Sequence, residues 1–182
     1  AKERVNSALK NTNIKPPTKE NRRIVVNLAP ADVKKTGSQY DLAIAVGYLL
    51  ATKQIKQFDA DDKIFVGELS LEGKLRPVNG VLSIADLGAR KGKRVIIVPR
   101  ANADEAAIIK EIKVIPVSNL AELISHLEGR QEIAPQPRTK IQDTDIEPSV
   151  DISEIKGQEH AKRALMIAAS GGHNVLMQGP PG

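Results

Sequence analysis

The chain closes on Gly179-Pro180-Pro181-Gly182, directly after the apolar run Asn174 to Met177. A glycine turn after a buried strand is where backbone N–H groups can cradle phosphates. The full pattern of such a loop is G-x-x-x-x-G-K-S/T, in which the lysine reaches the β- and γ-phosphates and the hydroxyl holds magnesium. Gly179, Pro180, Pro181 and Gly182 supply its first four positions. The two prolines lack an N–H, so they shape the turn while other residues donate. Taken alone, proline–glycine clusters mark ordinary turns. Preceded by a strand and a helical pattern, this one reads as a phosphate loop cut short, and no ATP hydrolysis is expected from these 182 residues by themselves.

The remaining candidates for chemistry are sparse. There is no cysteine, which excludes disulfide scaffolds, thiol nucleophiles and thiolate metal sites. His126, His160 and His173 have no ligand spacing and read as surface or core-edge residues. Asp59, Asp61 and Asp62 lack the glycine and distal glutamate of a calcium loop and read as a solvated turn. No catalytic residue and no metal ligand is assigned. Charge is more informative: residues 1 to 40 hold nine Lys/Arg against three acids, while the whole chain carries +5. Lys10, Lys15, Lys19, Arg22 and Arg23 are the candidates for contact with nucleic-acid phosphates. The competing reading is a solvated basic face, since aromatic residues make up only 2% and none is interleaved for base stacking.

These residues need elements to carry them. Val5, Ala8 and Leu9 have helical spacing over 3–11, and 13–23 reads as a loop. The β-branched 24–30 predicts a strand, and 40–51 a buried helix with Asp41 in its first turn. Segments 63–71 and 74–78 flank Glu72-Gly73 as a hairpin. A helix over 80–90, a buried strand over 94–99, a helix over 103–112, a strand over 114–117 and a helix over 119–129 follow. Residues 130–151 contain Pro135, Pro137 and Pro148, lose apolar periodicity and read as a linker, with a protease-resistant fragment ending near Gly129. Beyond it, a helix with Ala161, Ala164, Leu165 and Ala168 on one face stops at Gly171-Gly172, followed by the terminal strand. The reading is an α/β block over 1–129, a linker over 130–151, and over 152–182 the first helix and strand of a nucleotide-binding domain.

Two stretches carry a family resemblance. "IKGQEHAKRALMIAASGGHNVLMQGPPG" is similar to the start of the AAA+ module in magnesium-chelatase-like ATPases. "VVNLAPADVKKTGSQYDLAIAVGYLLA" and "FVGELSLEGKLRPVNGVLSIADLGARKG" resemble the amino-terminal domain of the YifB/ComM branch of that family. The resemblance implies that further strands precede this chain and that most of the ATPase follows it. It also implies ATP and magnesium as cofactors of a ring-forming homo-oligomeric motor, with Ile155, Gly157 and Gln158 against the adenine and the Gly179–Gly182 turn at the phosphates.

The amino-terminal block further resembles the proteolytic domain of Lon, a ribosomal-protein domain-2-like α/β fold, through "GELSLEGKLRPVNG" and "RVIIVPRAN". Lon-type proteolysis pairs a serine hydroxyl with a lysine amine. Ser38 lies near the nucleophile's place, but the lysine position, two residues after Gly80, holds Leu82. Leucine moves no proton, so the resemblance implies a domain inactive as a peptidase, unless Lys34, Lys35 or Lys91 reaches Ser38. The family further implies DNA as partner, with helicase action in natural transformation. The alternative is a protein-interaction or oligomerisation module in a chelatase-like ATPase that does not touch DNA. A cytoplasmic setting without membrane association is expected.

Overall fold

The computed structural model describes residues 2–12, 14–17, 24–28, 32, 37–140 and 151–180. The chain divides into two units, Ala1–Ile141 and Gln142–Gly182. Among the described residues no helix is long and apolar enough to cross a membrane.

In the first unit the elements run α1 (Lys2–Asn11), α2 (Asp41–Ala51), β1 (Lys63–Phe65), β2 (Glu68–Leu69), β3 (Leu75–Arg76), α3 (Val81–Arg90), β4 (Val95–Pro99), α4 (Ala103–Ala106), β5 (Lys113–Val117) and α5 (Leu120–Leu127). β4 is the central strand of a parallel three-stranded sheet ordered β1-β4-β5, with Ile97 opposite both Phe65 and Ile115. Side chains alternate across a strand, and both faces of this one are covered. Ile97, Ile115 and Val117 join α1, α2 and α5 in one core, while Ile96, Val98 and Val114 join α3 and α4 in the other. The second core is aliphatic, and the first is mainly so, with Tyr48 buried in it and Phe58 and Phe65 packed against it. Leu9, Leu42, Leu49 and Leu123 are fully buried, each contributing about 1.5–3 kcal/mol by its removal from water.

The hairpin expected over 63–78 is divided. Residues 63–65 belong to the parallel sheet, and only Glu68–Leu69 pairs antiparallel with Leu75–Arg76. Gly67 marks the switch. A Cβ there would sit 3.3 Å from the Leu75 side chain and 3.4 Å from the Pro99 ring, so glycine leaves room for both side chains. The helix expected over 103–112 stops at Ala106, because the Ala107 carbonyl accepts from the Thr139 N–H (3.0 Å) and Ile112 turns into the second core.

Two expected strands do not form among the described residues. Residues 24–28 form no ladder, and Val25 is 75% exposed; residues 29 and 30 lie outside the description. Likewise 174–177 is unpaired, with Leu176 93% exposed rather than buried. β-Branched composition favours a pleated surface but cannot supply the neighbouring strand that makes one.

The segment read as a linker is held to the block over its first ten residues. Ile133 is buried in the first core, the Gln136 N–H donates to the Val114 carbonyl (2.9 Å), and the Gln136 amide donates to Asp104 (2.7 Å). Residues 141–150 lie outside the description. In the second unit a short 3-10 turn, Ile152–Glu154, precedes α6 (Glu159–Gly171), which closes on Gly172 in the left-handed conformation.

Candidate functional site

In the second unit, the residues assigned to adenine sit together just before α6. Asp151 caps the turn: its carboxylate accepts from the Ser153 N–H (2.8 Å), and Glu154 accepts from the Asp151 N–H (3.3 Å). The Ser153 hydrogen bonds hold the Asp151 carboxyl below its usual range. Lys162 reaches back from the first turn of α6, donating to the Ile155 carbonyl (3.2 Å) while paired with Glu159 (2.6 Å). Gly157 and Gln158 follow in left-handed conformations, at φ 70° and 56°. For glutamine that is an uncommon backbone state, held where the chain turns into the helix. Ile155 is 40% exposed, and the space beside the Gly157 Cα is open.

An exposed apolar side chain beside an open glycine turn fits the face of a purine ring. Gly179 and Pro180 are exposed after a segment without regular structure, and Pro181 and Gly182 lie outside the description.

In the first unit, the serine at the nucleophile's expected place has a different partner. The Ser38 hydroxyl donates to the Glu68 carboxylate on β2. Glu68 also faces Arg76 across the hairpin (3.6 Å). Two hydrogen bonds join the two segments: the Gly67 N–H donates to Gln39, and the Leu42 N–H to Gly67 (3.1 Å each). Beneath them Asp41 is buried, taking Arg4 through two hydrogen bonds (2.6 and 3.1 Å) and the Leu69 N–H (3.3 Å). The same contact holds the Arg4 guanidinium above its ordinary value. Leu82 lies in the first turn of α3, partly exposed, its N–H donating to Glu105 (3.0 Å). Lys91 follows the last turn of that helix, its N–H donating to the Leu87 carbonyl, and Lys34 and Lys35 lie outside the description.

Sequence reasoning missed Glu68 and Arg4. They stand 30 and 37 residues from their partners, with no local pattern to announce the pairing. The aspartate cluster serves the fold: Asp59 accepts from the Asp61 N–H (2.9 Å), and Asp62 takes Lys63 and Arg94. Lys63 first, then Arg94, hold the Asp62 carboxyl below its usual range.

Of the basic candidates, Lys10 is exposed in the last turn of α1. Lys15 is exposed on a short segment clamped against α2. Lys19, Arg22 and Arg23 lie outside the described residues.

A family model described as subunit ChlI of Mg-chelatase matches residues 1–102, and a second, described as magnesium chelatase, subunit ChlI, matches residues 151–182. Over its whole length the chain is 41% identical to Competence protein ComM of Haemophilus influenzae, covering 36% of that protein. It is 39% identical to YifB of Escherichia coli, covering 35%. Over 66% of its length it is 32% identical to the Lon protease of Chloroflexus aurantiacus, covering 15% of that enzyme. The chain thus spans about a third of ComM and YifB, and the Lon similarity fits a Lon-like domain with the parallel sheet described above.

Proposed function

The chain belongs to the magnesium-chelatase ChlI family, with relatives in its YifB/ComM branch, and from that premise we propose that it forms part of an ATP-driven AAA+ motor that remodels DNA. The observation that carries the proposal is the pre-formed turn before α6. Ile155 offers an apolar face, Gly157 and Gln158 turn the backbone without a bulky side chain at Gly157, and Lys162 fixes the carbonyl of Ile155.

In this reading Ile155 packs on the base, and the left-handed pair lets the backbone approach its edge. Gly179 and Pro180 lead toward the phosphates. ATP with magnesium, when bound, supplies the phosphoryl-transfer chemistry that drives the motor. The protein acts as a homo-oligomeric ring in the cytoplasm. DNA is the remodelled partner, a reading supported by the full-length similarity to a competence protein and by the basic amino-terminal stretch.

The Lon-like block acts as a binding platform and not as a peptidase, because Ser38 is matched with a carboxylate and Leu82 stands where an amine is needed. Binding of a fluorescent ATP analogue to the protein with a complete nucleotide module tests the assignment. Ile155→Asp should weaken binding at least tenfold, since it sets a charge against the base. Unchanged affinity would remove Ile155 from the site.

A further inference from the structure

α2 ends in a Schellman motif: the Lys53 N–H donates to the Leu50 carbonyl (3.1 Å) and the Gln54 N–H to the Leu49 carbonyl (3.0 Å). The left-handed position of this motif is usually glycine or asparagine, yet it holds Lys53 at φ 56°. A side chain kept where the backbone disfavours one is an observation that points toward use of that side chain.

Gln54, the next residue, grips the backbone of Lys15 from both sides. Its carbonyl oxygen accepts from the Lys15 N–H (3.0 Å), and its amide donates to the Lys15 carbonyl (3.0 Å). The Tyr48 hydroxyl donates to the same carbonyl (2.8 Å), and Pro16 is buried beside it. Two segments distant in sequence, Lys15-Pro16 and the end of α2 through Gln54, are thereby joined in one surface. Lys15, Lys53 and Lys56 are all exposed on it. No acid occurs in residues 4–17 or 52–57, and none of the three lysines is ion-paired among the described residues.

We propose that Lys15, Lys53 and Lys56 form one cationic surface that holds the phosphate backbone of duplex DNA without reading its sequence. The surface rests on the DNA reading above and extends it to Lys53 and Lys56. Duplex is favoured over single strands because no exposed aromatic ring lies here for base stacking: the Tyr48 ring is buried and its hydroxyl engaged. Lysines acting as point charges on phosphates carry no base-edge information.

The test is a salt titration of binding to a fluorescent random-sequence duplex, read by anisotropy. Each lost phosphate contact should lower the size of the slope of log affinity against log salt by about 0.9. The double variant Lys53→Gly/Lys56→Ala should lower it by about two, while the melting temperature does not fall, since glycine suits the left-handed position. Lys53→Arg, which keeps the charge, should retain the wild-type slope.

Suppose the wild type binds, Arg22→Ala/Arg23→Ala flattens the slope and the lysine double variant does not. The surface is then overturned while the DNA reading stands. A slope lowered as much by Lys53→Arg as by the double variant would also overturn it. Absence of salt-dependent binding by the wild type would remove the DNA reading, and this surface with it.

Discussion

Ser38 shows how one neighbour decides what a side chain can do. Its hydroxyl proton points at Glu68, whose carboxylate also faces Arg76. The partner is a carboxylate and not an amine, and no amine stands at Leu82. A fluorophosphonate probe should therefore leave Ser38 unlabelled, and Ser38→Ala should leave ATP-dependent activity unchanged. Labelling that disappears in the variant would reopen the peptidase reading.

His126 is a second case. Its Nδ1 accepts from the Ile133 N–H (3.1 Å), which requires the neutral ring. Burial, chiefly, pushes its pKa below the ordinary value, and Lys113 from β5 adds to this against Glu132 and Glu122. The folded pKa is depressed, so the unfolded chain binds the proton first. The contribution is complete above about pH 6.5 and is lost as pH falls from there through the folded pKa. Amide exchange at Ile133, corrected for intrinsic rates, should quicken about fivefold between pH 7.5 and 5, for a hydrogen bond worth about 1 kcal/mol. His126→Gln, which can accept without titrating, should abolish that pH dependence; an unchanged dependence would mean that another group controls the strap.

At the scale of elements, the strap over residues 131–140 is the main departure from the sequence reading. Its prolines and polar residues have no periodicity, yet Ile133 fills a place in the first core and two N–H groups find carbonyls on the block. A single buried apolar residue in a polar run gives no pattern to read. Limited proteolysis should accordingly leave a fragment ending near Lys140 rather than Gly129, and Ile133→Ala should cost about 2–4 kcal/mol and expose the strap to cleavage. A fragment ending at Gly129 in the wild type would contradict this packing.

Elements with strong internal patterns were legible. The apolar α2, the β-branched β4 and α5 with its Asn119 cap, which accepts from the Glu122 N–H (2.9 Å), all stand close to their expected positions. Pairing was legible only in part: the hairpin around Glu72-Gly73 forms between Glu68–Leu69 and Leu75–Arg76. Phe65 joins β4 and not a hairpin partner, and residues 24–28 and 174–177 have strand composition without a strand beside them. Of the candidate site, the sequence marked the glycines and the lysine-rich stretch. It did not mark Lys162 on the Ile155 carbonyl, nor Lys53 in a left-handed cap, since each depends on backbone geometry.

For the whole molecule, charge and family point the same way. Nine of the 27 basic residues fall within the first 40, with three acids among them, leaving the rest of the chain near neutrality. A basic amino-terminal stretch suits contact with a polyanion. The decisive measurement is ATP hydrolysis by the protein with a complete nucleotide module, with and without duplex DNA at moderate salt. The account predicts turnover that rises severalfold with DNA, with the stimulation lost in Lys53→Gly/Lys56→Ala while the basal rate is retained. ATP hydrolysis that is indifferent to DNA would contradict it and leave the amino-terminal block as a protein-interaction module.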